Sequence, residues 1–285
     1  MKKTILTLAL VILAASAFAQ VAQPVSGNVA SDTAGSVALL IKYVGTTAGS
    51  ATTDVAVAAG GDMTFRVAGV ASTTINTAAA GALCGATPGT LDLSTPAATC
   101  NTLGEMVDVI NASSDWRAVI VSGLRTDSTD DTLTTFAVTA AQKAEGIAVY
   151  FDSAVSLTTT IALIPESCKT DIRCYMSPNG SLLSNPYAGQ QTEVRWVAGF
   201  STFATTGNFQ IFSVRAFNKA GVSSEVVRTM WQEVTGATGT NKQLTQFQYF
   251  GLLGGPSEKI LCRILNTGAS SAYFMQAYGV QKPIQ

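Results

Sequence analysis

The residues of this chain that could do chemistry are its five cysteines, and their spacing favours disulfides over a metal or redox site. Cys168 and Cys174 close the stretch CKTDIRC, and Cys84 and Cys100 flank a loop rich in Thr, Ala and Gly. Zinc sites and thioredoxin-like redox centres use the motif CxxC, in which two residues separate the cysteines. The sequence contains no such motif. We therefore predict structural disulfides between near neighbours, Cys84 with Cys100 and Cys168 with Cys174, although sequence alone leaves the connectivity open.

The fifth cysteine, Cys262, has no near neighbour to pair with. It lies in KILCRIL, where a strand would place it on the same face as Ile260 and Ile264. We expect a buried free thiol, and an intermolecular disulfide is the alternative interpretation.

A cluster of aspartates is the other candidate site. The stretch RTDSTDDT places Asp127, Asp130 and Asp131 in one predicted turn. Carboxylates this close repel one another unless a cation lies between them, and calcium takes such oxygen ligands outside the cell. The spacing does not match an EF-hand, and solvated acids are common in turns. We therefore predict no cofactor, with calcium at this turn as the alternative.

The chain contains no histidine, which excludes many enzyme classes. Ser-His-Asp and Cys-His nucleophiles and imidazole metal ligands are impossible, and the commonest general base near neutral pH is missing. The serine motifs GxSxG and SxxK and the phosphate-binding GxxxxGK[ST] do not occur either. We predict a protein without enzymatic activity. A glycosidase needs only two carboxylates across a cleft, so a histidine-free glycoside hydrolase is a third interpretation.

The charge content points to packing between protein surfaces. Charged residues are 12% of the chain and the formal net charge is −1, whereas an average soluble protein has about 25% charged residues. The basic residues form no stripe, so we expect no nucleic-acid partner. A surface rich in Thr, Ser and Ala does little to repel copies of itself. This composition favours a protein that assembles with its own copies or binds to a cell wall.

The first 19 residues have the pattern of a cleaved signal peptide. Lys2 and Lys3 precede an apolar run, and Ala17-Phe18-Ala19 fits the small-residue cleavage pattern. The apolar run is shorter than the ~20 residues that a membrane-spanning helix needs. We expect a mature chain that begins at Gln20 and is secreted or held at the cell surface, with the periplasm as an alternative.

The first half of the mature chain predicts a flexible arm and an α+β domain. Residues 20–35 are small and polar with Pro and Gly, and such an arm could add a strand to an open edge of a neighbouring subunit. Residues 36–165 contain alternating runs, among them a predicted β-hairpin around Gly60-Gly61-Asp62. Thr102 and Glu105 have the spacing of a capping box that begins an amphipathic helix.

The second half predicts a β-sandwich. Residues 166–191 concentrate prolines, Asn-Gly and CKTDIRC, which indicates a linker with a disulfide loop. Residues 192–285 hold six short alternating runs separated by turn residues, which favours an antiparallel, jelly-roll-like sandwich. Within them SVRAFNKAGVSSE resembles the late strand and turn of a fibronectin type III domain, over that stretch alone. About sixty residues follow this stretch, whereas a fibronectin type III domain should nearly be over by that point. No site residues are therefore carried over from the resemblance.

These observations predict a secreted, non-enzymatic structural protein, mainly β, that assembles with copies of itself into a surface layer, filament or shell. The alternative is a secreted, adhesin-like module that binds polysaccharide or a cell surface. Trp116, Trp196, Trp231 and the run FQYF could line such a binding face. Aromatic residues that alternate along strands are more often in the core, and we expect that here.

Overall fold

The protein is mainly β. The computed structural model describes residues 22–30, 37–47, 54–57, 62–76, 84, 87–93, 100, 102–129, 136–140, 144–150, 158–183, 189–219, 222–246, 252–253, 259–267 and 272–284. In chain order the strands are β1 (Gln23–Ala30), β2 (Val37–Tyr43), β3 (Asp54–Val57), β4 (Asp62–Val67), β5 (Val70–Ala71), β6 (Thr90–Asp92), β7 (Trp116–Ile120), β8 (Phe136–Ala140), β9 (Ile147–Tyr150), β10 (Thr158–Ala162), β11 (Gln190–Thr202), β12 (Gly207–Lys219), β13 (Val222–Gly236), β14 (Asn241–Gln246), β15 (Leu252–Leu253), β16 (Lys259–Asn266) and β17 (Ala272–Pro283). These ranges also contain the helix α1 (Leu103–Ala112) and two 3-10 turns, Glu166–Cys168 and Ile172–Cys174.

The strands form four sheets, and each described strand pair is antiparallel. Sheet I has the order β1-β17-β11-β14, with β15 also on β11, and sheet II has the order β10-β16-β12-β13. Sheet III is β7-β2-β9, and sheet IV is β5-β4-β3-β8 with β6 on β4. The prediction of a mainly β, antiparallel protein is confirmed. Within the described ranges, no helix has the length and apolar character needed to cross a bilayer.

The predicted helix is confirmed. It could be predicted because the capping box and the apolar spacing that indicate it lie within the helix itself. The Thr102 hydroxyl accepts a hydrogen bond from the Glu105 amide (3.3 Å), and the Glu105 carboxylate accepts one from the Thr102 amide (3.2 Å). These bonds satisfy amides that lack partners inside the first helical turn. The apolar face of α1 packs into a core that α1 shares with sheets III and IV.

Trp116 lies at the centre of this first core. Its ring meets Tyr43 and Phe65 edge-on, at centroid distances of 5.1 and 5.0 Å, and its indole N–H donates to Ser72 Oγ (3.0 Å). A buried tryptophan needs such a partner, because an unpaired N–H would carry a desolvation cost of about 1–3 kcal/mol. The predicted β-hairpin, with Val57 opposite Met63, forms part of sheet IV beside this core.

Sheets I and II pack face to face as a β-sandwich with a second core. Sheet I contributes Val194 and Met275, and sheet II contributes Phe209 and Ile264. The sheets approach closely at Gly199, where an added Cβ would lie 2.4 Å from Ile211 Cδ1. A side chain at this position would force the two layers apart.

Two strands of the sandwich come from outside the range 192–285 in which the sequence predicts it. β10 lies at the edge of sheet II beside β16, and β1 lies at the edge of sheet I beside β17. The stretch that the sequence predicts as a flexible arm, residues 20–35, therefore contains a strand, residues 23–30. β1 is ordered by pairing with the last strand of the chain, which local sequence patterns do not report.

A third core joins sheets II and III. Its members come from β2, from the segment after β7, from β16 and from the CKTDIRC stretch, and include Leu40, Val121, Ile172 and Leu261. Two polar contacts bridge the same junction. Arg263 donates to Asp127 Oδ1 (3.1 Å), and Lys259 donates to the Ile120 carbonyl (3.1 Å).

Candidate interaction surfaces

The four cysteines predicted to pair lie at disulfide distance in the predicted combinations. Cys84 and Cys100 have a Cα–Cα distance of 5.1 Å, and Cys168 and Cys174 one of 5.5 Å. Both values fall in the range of about 4.4–6.8 Å that a disulfide requires. The first pair is buried in the core around Trp116, and the second lies beside the junction core.

The contacts of the CKTDIRC loop give it a structural role. Ile172 is fully buried in the junction core, and its amide donates to the Glu145 carbonyl (3.0 Å). Asp171 accepts a hydrogen bond from the Arg173 amide (2.9 Å) and forms an ion pair with the Arg173 guanidinium (2.6 Å). The hydrogen bond from the Arg173 side chain holds the pKa of Asp171 below its usual range. The closed loop thus holds the Ile172 side chain in the core between sheets II and III.

Lys169, within the same loop, reaches β1. Its side chain is only 17% exposed and forms an ion pair with Glu166 (2.6 Å). Lys169 Nζ also donates to Ser26 Oγ (3.2 Å), and that hydroxyl donates to Glu166 Oε2 (3.3 Å). The loop therefore contacts the N-terminal strand directly.

β1 occupies a groove that we call the β1 seat, bounded by β17 on one side and by Ile164 on the other. Eight residues of β1 pair with β17, from Gln23 opposite Gln281 to Ala30 opposite Phe274. On the other side the Ser26 amide donates to the Ile164 carbonyl (3.3 Å). Val25 is buried in the sandwich core. β1 thus closes one side of the sandwich.

The outer face of sheet I carries a second surface, which we call the aromatic face. It consists of two cross-strand aromatic pairs, Trp196 with Tyr278 and Phe200 with Phe274, and between them Ala198 opposite Gln276. Phe200 and Phe274 are each 37% exposed and Tyr278 is 41% exposed. None of the six residues is Asp, Glu, Lys or Arg. The expectation that the candidate aromatics lie in the core is correct for Trp116 and wrong for Trp196, which is half-buried on this face.

The remaining aromatic candidates carry less information. Trp231 lies on β13 at a register shift against β12, between Ile211 and Phe212, and the structure does not describe its side chain. The run FQYF, residues 247–250, lies outside the described residues.

β13 is a long edge of sheet II. It spans fifteen residues, and among the described strands it pairs with β12 alone. Two register shifts interrupt this pairing, between Ile211 and Phe212 and between Ser213 and Val214. Such irregularities twist an edge and make it a poorer template for another strand.

Asp127, the described member of the aspartate cluster, is used within the fold. It accepts hydrogen bonds from the Leu124 amide (2.9 Å) and from Arg263. Burial raises the pKa of Asp127, while the Leu124 amide and Arg263 lower it. Asp130 and Asp131 lie outside the described residues. Among the residues that are described, no group of three or more His, Cys, Asp or Glu is arranged to hold a metal ion.

Cys262 lies in the sandwich core, fully buried and, as the structure shows, not in a disulfide. Burial raises the pKa of its thiol, because the thiolate would lose its hydration. A disulfide to another chain at this position would require the two sheets to separate.

A buried carboxylate on sheet I has no counterpart in the sequence predictions. The Glu193 side chain is 5% exposed and forms ion pairs with Lys282, on the neighbouring β17, and with Arg195 (3.4 Å). The hydrogen bond from Lys282 is the main reason that the pKa of Glu193 lies below its ordinary value. The pair joins β11 to β17 at the end of the sheet where β1 begins.

Comparison of the chain with protein-family models, with curated proteins and with solved structures found no match. Functional inference therefore depends on the surfaces themselves.

Proposed function

We propose that this is an exported, non-enzymatic structural protein that assembles with copies of itself into an extracellular layer, filament or shell. In this proposal an α+β unit that contains the Cys84–Cys100 disulfide is followed by a jelly-roll-like sandwich, with the Cys168–Cys174 disulfide between them. The signal-peptide pattern of residues 1–19 supports export, and the absence of histidine argues against most catalytic mechanisms. No cofactor is required.

The aromatic face is the observation that carries this proposal. Soluble monomers rarely expose contiguous apolar patches larger than a few hundred Å², and patches above that size mark interaction sites. Tyr, Trp and Phe are enriched, and charged residues depleted, at the centres of protein interfaces. The occupant that we favour is a second copy, because a chain with 12% charged residues and a net charge of −1 has little electrostatic repulsion to overcome.

Substitutions that place charged side chains on the aromatic face test the proposal. We expect the double variant Phe200→Lys/Phe274→Glu to fold, since both side chains are partly exposed and the opposite charges can pair across the strands, yet to need a higher concentration for assembly because burying charges in an interface is costly. An increase of about tenfold or more, equivalent to about 1.4 kcal/mol, is the expected effect by light scattering. Val70→Lys is the matched control, because Val70 is 68% exposed and lies on sheet IV. An unchanged threshold in the double variant would count against this interface.

The second candidate function is binding of polysaccharide at the cell surface. The pair of Trp196 and Tyr278 favours it, because aromatic rings in a row on a flat sheet can stack against sugars. Retention of a monomeric protein by an insoluble polysaccharide, lost in Trp196→Ala/Tyr278→Ala, would support this function over assembly.

A further inference from the structure

We propose that β1 is an exchangeable strand, so that in the assembled protein β1 of one copy occupies the β1 seat of the next copy. This inference rests on the proposed self-assembly and adds a second interface to the aromatic face, so that assembly requires both. The seat, the strand and the link between them each contribute to the argument.

The β1 seat is built from residues far from β1 in sequence. β17 and Ile164 bound it, and the neighbouring core residues Leu163, Val194 and Met275 also come from residues after 150. β1 itself precedes sheets III and IV, whereas every other described strand of the sandwich follows them. A β1 strand from another copy could therefore make the same contacts without any change in the seat.

β1 is held mainly by backbone pairing, which is transferable between chains. Its sequence, QPVSGNVA, is short and carries few large apolar side chains. The Ser26 amide points to Ile164 and therefore away from β17, which makes Ser26 and Tyr278 a non-hydrogen-bonded pair. Pro24, two residues earlier, occupies the equivalent position, so its missing N–H costs no bond to β17. The strand is suited to the seat through main-chain geometry.

The link between β1 and β2 has the length and composition that exchange requires. Residues 31–36 read SDTAGS, a small and polar sequence typical of linkers. Six residues in extended form span at most about 20 Å. Because the strand and the seat are different surfaces, each copy gives one strand and receives one. Such exchange closes into a dimer or ring where the geometry allows it and otherwise continues as an open chain, which is the form that we propose here.

A cross-strand disulfide distinguishes exchange between copies from pairing within one copy. Non-hydrogen-bonded pairs have Cα atoms about 4.5 Å apart, a distance that a disulfide can bridge. The variant Pro24→Cys/Val280→Cys, the neighbouring non-hydrogen-bonded pair, is assembled with a reductant mild enough to leave the native disulfides closed, then oxidised, dissolved in denaturant and run on a non-reducing gel. We expect a ladder of covalently linked dimers, trimers and longer chains. The single variants Pro24→Cys and Val280→Cys are the controls and give no ladder.

The same variant oxidised as a dilute monomer provides the second arm. β1 is then locked into its own seat, and we expect assembly to be lost until a reductant restores it. Neither Pro24 nor Val280 belongs to the aromatic face, and the variant leaves the Ser26 hydroxyl in contact with Lys169 and Glu166.

The outcomes separate the two proposals. Assembled protein that contains only intramolecular cross-links, or locked monomer that assembles as well as the reduced form, would overturn strand exchange and leave self-assembly standing. A wild-type chain that does not assemble would overturn both.

Discussion

Glu193 shows how one buried charge can link folding to pH. Its partners Lys282 and Arg195 stabilise the carboxylate, so the pKa of Glu193 in the folded protein lies below its ordinary value of 4.5. A group with a depressed pKa stabilises the fold above its unfolded pKa, and this contribution disappears as the pH falls through the folded pKa. The protein should therefore lose stability as the pH falls below about 4.5.

The variant Glu193→Gln tests this residue. It removes the charge while keeping an oxygen acceptor, and we expect a free energy of unfolding lower by about 1–3 kcal/mol at pH 7. The difference from wild type should shrink toward pH 3, because below about 4.5 the unfolded wild-type chain takes up a proton at Glu193 and the stabilisation by the carboxylate decreases. Urea denaturation at both pH values measures this. A difference of the same size at pH 3 would show that the variant acts through packing and not through charge.

Single residues also show where sequence reasoning succeeds and fails. The pairs Cys84–Cys100 and Cys168–Cys174 follow from nearness in the chain. The alternation in AYFMQAYGV groups Phe274 with Tyr278 on one side of β17, but alternation does not say which side faces water. The default assumption that aromatic residues lie in the core therefore hides the aromatic face.

At the level of elements, the CKTDIRC loop links the junction core to β1. Ile172 points into the core, while Lys169 reaches Ser26 on the strand. Closing the loop through Cys168 and Cys174 reduces the conformations that the unfolded chain can adopt. The spacing of the two cysteines predicts the disulfide Cys168–Cys174. The contact of Lys169 with β1 could not be predicted in this way, because β1 lies more than a hundred residues earlier in the chain.

We expect Cys168→Ser/Cys174→Ser to lower the free energy of unfolding by about 2–3 kcal/mol, the chain-entropy value for a short loop. The loss of a fixed Lys169 should also loosen β1, seen as faster hydrogen exchange at amides of residues 23–30. Lys169→Ala with the disulfide intact separates the two effects, since it should speed exchange in β1 with little change in global stability. Unchanged exchange in both variants would contradict the role of the loop at β1.

At the level of the whole molecule, local signals determine how much could be predicted. The capping box at Thr102 and the hairpin of β3 and β4 depend on residues close in sequence, and both are confirmed. The pairing of β1 with β17 joins the two ends of the described chain, and no short-range pattern encodes it. Sequence patterns therefore fail to predict the β1 seat, because residues far apart in the chain form it.

The molecule as a whole combines low charge, an uncharged aromatic face and a terminal strand seated in a distant groove. Each feature is compatible with a monomer, but together they favour a subunit that packs against its own copies. The central claim is therefore self-assembly of the chain that begins at the proposed cleavage site, Gln20.

Electron microscopy of the purified mature chain beginning at Gln20, concentrated at neutral pH with and without calcium, tests this claim most directly. The account predicts regular filaments, sheets or shells whose repeat is one subunit, and light scattering that rises above a threshold concentration. Particles that remain monomeric at every concentration, in both buffers, would contradict it.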